Sequence, residues 1–297
     1  MILHYYTPVG ILASGWVGRW TATHNNSKTG GEGMRLKDKI SVITGAGRGI
    51  GRSIGIAFAD EGSHLVLVAR SREQLEDVAQ EIGKRGGKAL PVTCDVSSAR
   101  AVQDLARVVQ GEFGRVDILV NNAGISKRSR LLEYDDETWL EVIRINLFGT
   151  YLCIKTFLPM MQQIGQGRII NIASTAGKNP VPFNTSYSAS KHGVLGLTKS
   201  VASEVALTGY PGITVNAICP FYVNTEMFSG PQGYVARMAE MTGMSEEEVI
   251  DKAVSRNLQH RIMEPEEVAS MAVYLASEEA RGITGQSLNI CGGLVFH

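Results

Sequence analysis

Three side chains of this chain are spaced for proton transfer at a carbonyl or alcohol carbon. Ser174 closes an apolar run, Tyr187 follows thirteen residues later, and Lys191 lies four residues past the tyrosine. Residues four apart share one face of a helix, so a helix here would place phenol and ammonium side by side. A free phenol has a pKa of about 10 and is a poor base near neutrality. A neighbouring ammonium favours the phenolate and lowers that value. A serine hydroxyl can hydrogen-bond the substrate oxygen. Together these parts make a general acid/base site for carbonyl reduction or alcohol oxidation. Tyr-x-x-x-Lys alone is common on helix surfaces, so the weight of the reading comes from position.

That position is set by a glycine-rich turn upstream. Thr44-Gly45-Ala46-Gly47-Arg48-Gly49-Ile50-Gly51 directly follows the apolar run Ile40–Thr44 and precedes a helical segment, Arg52–Glu61. Glycines allow a sharp turn and close backbone approach to a pyrophosphate, and the helix N-terminus supplies N–H donors and partial positive charge. Between a first strand and a first helix, such a turn points to a dinucleotide. At the end of the second apolar run stands Ala69-Arg70-Ser71, without a carboxylate. An acidic residue there holds the ribose 2′-hydroxyl of NAD, whereas an arginine accommodates a 2′-phosphate. Arg70, with Arg48 as a second cation, therefore favours NADP(H) over NAD(H), since charge-assisted Arg–phosphate bonds are strong and directional. The positive ring of the oxidised nicotinamide would further favour the Tyr187 phenolate.

The elements that must hold these residues are legible as an alternation. Short apolar runs occur at Ile40–Thr44, His64–Ala69, Ala89–Thr93, Asp117–Asn121, Arg168–Ser174, Ile213–Ile218 and Ser287–Ile290. Continuous Val/Ile/Leu runs suit parallel strands covered on both faces. Between them lie helical periods, such as Leu75, Val78, Ala79 and Ile82, or Val102, Leu105, Ala106 and Val109. Strand–helix alternation predicts a single doubly wound α/β unit with a seven-stranded parallel sheet and helices on both faces. Asp135–Met161 and Tyr187–Leu207 read as long apolar helices. Residues 221–261 break the rhythm. Rich in Met, Gly and Glu, they follow the carboxyl end of a strand, where ligands bind in open α/β sheets, and form a candidate lid.

Bulk properties exclude other classes. Twenty-nine Lys+Arg balance twenty-nine Asp+Glu, so nothing points to nucleic acid or to an anionic membrane, and weak charge repulsion is compatible with self-association. No apolar stretch reaches the about 18 residues of a membrane span. Cys94, Cys153, Cys219 and Cys291 are far apart, with no CxxC pair and no histidine at metal-ligand spacing. They read as buried reduced thiols in a cytoplasmic protein, with no metal site. Residues 1–33 read as a flexible N-terminal extension before a domain spanning 34–297, the alternative being a short membrane-surface or partner-binding segment. His192 reads as structural, because adjacent helical residues face different ways.

From about Leu36 to Val295 the chain resembles the short-chain dehydrogenase/reductase family. The resemblance rests on Thr44–Gly51, Asp95-Val96, Asn121-Asn122-Ala123-Gly124, Asn146, Ser174, Tyr187-Ser188-Ala189-Ser190-Lys191 and Gly285-Gln286. It implies a Rossmann-like fold and a catalytic set of Asn146, Ser174, Tyr187 and Lys191. In that set Tyr187 is the acid/base and Ser174 polarises the substrate oxygen. Lys191 lowers the tyrosine pKa and holds the nicotinamide ribose, and Asn146 holds a water of the proton relay. The resemblance further implies cofactor contacts at Gly45, Arg48, Gly49, Ile50, Gly51 and Arg70. Asp95 and Val96 would lie at the adenine, Asn122, Ala123 and Gly124 nearby, and Pro220, Val223 and Thr225 at the carboxamide. It also implies pairing of the two long helices in a homodimer or homotetramer. One departure is Pro220-Phe221 where the family usually has Pro-Gly, which leaves open a different local turn or a phenylalanine in the site.

Within the family, Asn171–Lys178 with Tyr187–Val194, and Asn289–Leu294, resemble ketoreductases acting on β-ketoacyl or polyketide intermediates. The basic run Lys127-Arg128-Ser129-Arg130 is then a candidate contact for an acidic carrier protein or a phosphopantetheine phosphate, or simply a solvated loop. Phe183, Phe221, Tyr222, Met227 and Phe228 suggest an apolar substrate pocket. The expectation is NADP(H)-dependent reduction of a small-molecule or carrier-tethered ketone. Oxidation of a small secondary alcohol with NAD(P), and an NADP(H)-sensing regulator without turnover, are the alternatives.

Overall fold

Alternating side chains along each strand divide the apolar core into two faces. In the computed structural model, which describes residues 33–297, Val42, Leu119 and Ile169 pack on one side of a sheet with Leu105 and Phe157. Their chain neighbours Ile43, Val120 and Ile170 pack on the other, with Phe58 and Val273. This two-residue alternation of a strand, with apolar residues at every position, demands helices on both faces. The expectation for residues 1–33 falls, but for Gly33, outside the described residues.

Seven strands form the sheet: β1 (Ile40–Thr44), β2 (His64–Ala69), β3 (Lys88–Thr93), β4 (Ile118–Asn121), β5 (Gly167–Ile172), β6 (Ile213–Pro220) and β7 (Ser287–Ile290). All pair in parallel, in the order β3-β2-β1-β4-β5-β6-β7. This is the expected doubly wound, Rossmann-like sheet. Pro91, which cannot donate to a ladder, sits in the edge strand β3. The strand order reverses between β1 and β4, and that switch point opens a crevice at the carboxyl ends of the strands.

Ten helices complete the described chain: α1 (Gly49–Asp60), α2 (Arg72–Lys84), α3 (Ala99–Phe113), α4 (Asp136–Ile143), α5 (Gly149–Ile164), α6 (Thr185–Leu207), α7 (Glu226–Ser229), α8 (Tyr234–Thr242), α9 (Glu246–Val254) and α10 (Pro265–Ala276). Serine caps start several of them: Ser71 accepts from Gln74 N, Ser98 from Ala101 N, and Ser245 forms a capping box with Glu248.

The single helix expected over Asp135–Met161 is in fact two. A π-helical turn, Arg144–Phe148, separates α4 from α5. Apolar periodicity does not register one extra residue in a turn, so the sequence reads straight through it. The excursion at 221–261 is three short helices, α7 to α9, around a small core of Phe228, Val235, Val249 and Ala253. No helix among the described residues is long and apolar enough to cross a membrane. The four cysteines are free and buried, and no three metal-ligating side chains gather among the described residues.

A buried polar chain fixes α6 against the sheet. Asn121 Nδ2 donates to Asn171 Oδ1 at 2.9 Å, Asn171 Nδ2 to Thr198 Oγ1 at 2.9 Å, and Thr198 Oγ1 to Val194 O at 2.7 Å. Buried amides need such partners, and the chain joins β4, β5 and the helix that carries Tyr187 and Lys191.

Candidate active site

Tyr187 and Lys191 lie on the first two turns of α6. The Lys191 Nζ donates to Ile172 O at 2.7 Å and stands 5.5 Å from the centre of the Tyr187 ring. Ser174 lies two residues beyond β5 and caps a short 3₁₀ turn, accepting from Ala176 N at 3.1 Å. That turn packs closely on α6: a Cβ on Gly177 would come 2.7 Å from Lys191 O. Asn146 sits in the π-turn. Its Oδ1 accepts from Ile125 N at 2.8 Å, and its Nδ2 donates to Ile125 O at 2.9 Å and Ser190 Oγ at 3.1 Å. Both amide hydrogens are therefore spent, and its main-chain oxygen already takes the Thr150 hydroxyl at 2.8 Å. A water could be held only as a donor, to the second lone pair of that oxygen or of Oδ1. Gly124 brings the group together, since a Cβ there would lie 3.2 Å from Asn146 Oδ1 and 3.7 Å from Lys191 Nζ.

The electrostatics depart from expectation. Burial lowers the Lys191 ammonium to about 8, with Cys219 working weakly in the other direction. Burial also raises the Tyr187 phenol above its ordinary value, opposed by the adjacent Ser174 hydroxyl and then by the Arg128 guanidinium. The expected lowering of the phenol by Lys191 is therefore absent in the protein alone. The ammonium is aimed at a backbone carbonyl, and desolvation of the phenolate outweighs the nearby cations.

The glycine-rich turn is a cradle that only glycine permits. Gly45 and Gly49 have φ of 65° and 52°, and a Cβ on Gly51 would lie 2.2 Å from Gly45 O and 2.4 Å from Asn122 Nδ2. Asn122 does not reach outward. Its Nδ2 donates to Thr44 O and Gly45 O, both at 3.0 Å, while Asn122 N and Ala123 N donate to Thr44 Oγ1 at 3.0 and 3.1 Å. The turn opens on the N-terminus of α1, so a pyrophosphate fits it. Arg70 is exposed and has no ion partner among the described residues, whereas Arg48 is paired with Glu226 at the start of α7. The Asp95 carboxylate accepts from Ser97 N at 2.9 Å and Ser97 Oγ at 2.7 Å. Val96 turns its side chain inward, against Gly149.

Between the cradle and the excursion lies a cleft of about 900 Å³ that includes open space at its mouth. Ile50, Ser174, Tyr187 and Lys191 line it on one side, and Val223 and Thr225 also reach it. The facing wall is aromatic, with ring centres 4.0 Å apart for Phe221–Tyr222, 4.3 Å for Tyr222–Tyr234 and 5.1 Å for Tyr222–Phe228. Phe221 needs no glycine-like backbone: its φ is not positive, and its N–H continues the sheet to Ile290 O at 2.9 Å. Of the two outcomes left open by Pro220-Phe221, the side chain entering the site is the one observed.

Residues 39–232 match the family described as short chain dehydrogenase. The chain belongs to this family. Across 258 residues this short chain dehydrogenase is 40% identical to a putative ketoacyl reductase of Streptomyces coelicolor, covering 86% of this chain and 97% of the relative. It is 40% identical over 276 residues to the granaticin polyketide synthase putative ketoacyl reductase 1 of Streptomyces violaceoruber, covering 92% of this chain and 98% of that one. A crystal structure of an actinorhodin polyketide ketoreductase variant with NADPH superposes with a TM-score of 0.82 at 40% identity, covering 86% of this chain and 97% of that chain.

In this dehydrogenase Ser174, Tyr187, Lys191, Val223 and Thr225 share one cleft at the switch point, whereas Arg48, Arg70, Asp95, Val96 and Asn146 do not line it. Phe183 does not line the cleft and is exposed with φ of 60°. Of the basic run, Lys127 and Arg130 are exposed, but Arg128 turns into the cleft. Sequence reasoning also missed Tyr234 and the Ile172 carbonyl. A main-chain oxygen leaves no mark in residue type, whereas Tyr234 was available as one more aromatic in the 221–261 stretch.

Proposed function

We propose that this protein is an NADP(H)-dependent ketoreductase that converts a bulky ketone to a secondary alcohol. The observation that carries the reading is the convergence of Ser174, Tyr187 and Lys191 in one cleft beside the Gly45–Gly51 cradle. NADPH, when bound, would supply the hydride that the carbonyl carbon receives. Gly45, Gly49 and Gly51 let the backbone approach its pyrophosphate, and Arg70 offers the charge for a 2′-phosphate. Ser174 donates to the carbonyl oxygen and holds it beside the phenol. Tyr187, a phenol whose pKa burial raises further above neutrality, gives the proton that completes the alcohol. Lys191 stays fixed through Ile172 O and reaches the ribose side of the site. Asn146 fastens the Gly124–Ile125 segment that forms the floor beneath them. Residues 221–261 act as a lid whose aromatic wall takes the apolar part of the substrate.

The similarity to ketoacyl reductases supports a β-ketoacyl or polyketide-like substrate, free or carrier-tethered. Self-association through the start of α5 is part of the proposal, because Tyr151 and Phe148 of the preceding π-turn are exposed and stacked 5.8 Å apart. Light scattering would give a dimer or tetramer mass.

The test is a parallel titration with NADPH and NADH, followed by a panel of β-ketoesters and bulky cyclic ketones, read as loss of reduced-nicotinamide absorbance. Turnover that prefers NADPH and falls by about 10²-fold or more in Tyr187→Phe is expected. Preference for NADH would overturn the phosphate reading of Arg70, and tight NADPH binding without turnover of any ketone or alcohol would favour the sensor.

A further inference from the structure

Arg128 is the one member of the basic run that the cleft absorbs. Its Nη1 is shielded from solvent and has no hydrogen-bond partner among the described residues, and no carboxylate there pairs with its guanidinium. The plane lies over the Tyr234 ring at 4.7 Å, and Tyr187 and Tyr222 are its other electrostatic neighbours. The one charged group facing it is a second cation, Arg256, itself 5.7 Å over the Phe221 ring and likewise without an acidic partner among the described residues. Arg128 is half-buried, so the loss of hydration falls on Nη1, for which the described residues offer no replacement.

The side chain is nevertheless held in place. Asn184 Nδ2 donates to Ser126 Oγ at 2.9 Å, Tyr134 Oη to Lys127 O at 2.7 Å, and Ser129 N to Phe183 O at 3.0 Å. The backbone is thus tied on both sides of Arg128, and its side chain lines the cleft beside Tyr234. Such rigidity lowers the cost of binding a ligand.

We propose that Arg128 receives a carboxylate carried by the substrate itself, which makes keto acids, and the hydroxy acids they yield, the substrate class of this cleft. A planar fork matches a carboxylate with two parallel hydrogen bonds, and the aromatic wall of the same cleft takes the carbon skeleton. The inference rests on the reading of the cleft as the ketone site. A phosphate offers similar anionic chemistry through a phosphopantetheine arm, so the experiment separates the two.

Two measurements test it. In the first, 4-phenylbutanoate and 4-phenylbutanamide, neither of them reducible, are titrated calorimetrically into full-length protein saturated with NADP⁺. The acid is expected to bind about 10- to 100-fold more tightly than the amide, a preference lost in Arg128→Met and partly restored in Arg128→Lys. Equal affinities, no measurable binding of the acid, or an undiminished preference in Arg128→Met would overturn the proposal. Retained NADPH binding shows that the variants are folded. In the second, kcat/KM is compared for 4-oxo-4-phenylbutanoate, its methyl ester and a phosphopantetheine-linked β-ketoacyl substrate. The acid-to-ester ratio should fall by a similar factor in Arg128→Met. Dependence on Arg128 for the phosphopantetheine substrate alone would assign the arginine to a phosphate and overturn the carboxylate. Binding as expected with no ketone reduced would sink the ketoreductase reading and leave the anion site standing.

Discussion

Lys191 Nζ donates to the main-chain oxygen of Ile172 at 2.7 Å, which locks an ammonium from the second turn of α6 to the last residue of β5. The bond fixes the lysine but does not spare it the loss of water, and its pKa falls to about 8. Below that pH the folded protein carries a buried charge at full cost. Between about pH 8 and the unfolded value of 10.5, the unfolded chain binds the proton that the folded chain has released. Stability therefore rises with pH across this window. Lys191→Met removes the effect. Urea unfolding of both proteins should show the wild type gaining on the variant by up to about 3 kcal/mol as pH rises from 8 to 10.5. A constant difference would mean that the ammonium is better solvated than its 4% exposure implies.

Tyr187 is held above the ordinary phenol pKa, so the protonated form persists into the alkaline range, and the phenolate needed to accept a proton forms only at high pH. Ketone reduction should stay level through neutral pH and decline only in the alkaline range, and alcohol oxidation should climb with pH. Tyr187→Phe should cost about 10²- to 10⁴-fold in kcat in both directions. Paired pH–rate profiles check this. Reduction that declines below neutrality as the phenol deprotonates would show that bound cofactor reverses the effect of burial.

Gly51 has no room for a methyl group, because its Cβ would overlap Gly45 O and Asn122 Nδ2. Gly51→Ala should destabilise the fold by about 1–3 kcal/mol and weaken NADPH binding. Gly83 in α2 has nothing within 4 Å of a Cβ, so Gly83→Ala should stabilise by up to about 1 kcal/mol. Denaturant midpoints of the two variants should move in opposite directions.

Arg70 and Arg48 differ in availability. Arg70→Glu should lower kcat/KM with NADPH by about 10- to 100-fold, with a much smaller effect on NADH. If Arg48 holds the 2′-phosphate, the Glu226 carboxylate paired with it competes for the same guanidinium. Glu226→Gln should lower KM for NADPH by up to about fivefold, the scale of one exposed ion pair. An unchanged KM would mean that Arg48 takes no part in holding the cofactor.

Much of this architecture is written in side-chain type. Seven apolar runs became seven strands, and the ends of β1, β2 and β7 coincide with the limits of their runs. The glycine turn and the Tyr187–Lys191 pair could be read because each needs particular residues at fixed spacing. What could not be read falls into two kinds. Arg48–Glu226 joins residues 178 positions apart, and Arg128 sits in a basic run whose neighbours are solvated, so local pattern places neither. The Ile172 carbonyl and the π-turn are properties of backbone, to which apolar periodicity is blind.

The π-turn at Arg144–Phe148 also makes the count of residues, as distinct from their kind, a determinant of this site. Each residue advances an α-helix by about 100°. Removing one residue from the turn would restore a regular helix and swing everything beyond it, or everything before it, by that angle. Asn146 would lose its hold on Ile125, or the buried face of α5 would point at solvent. Loops elsewhere in the chain absorb insertions and deletions readily, whereas here a change of one in length would be as damaging as replacing the asparagine.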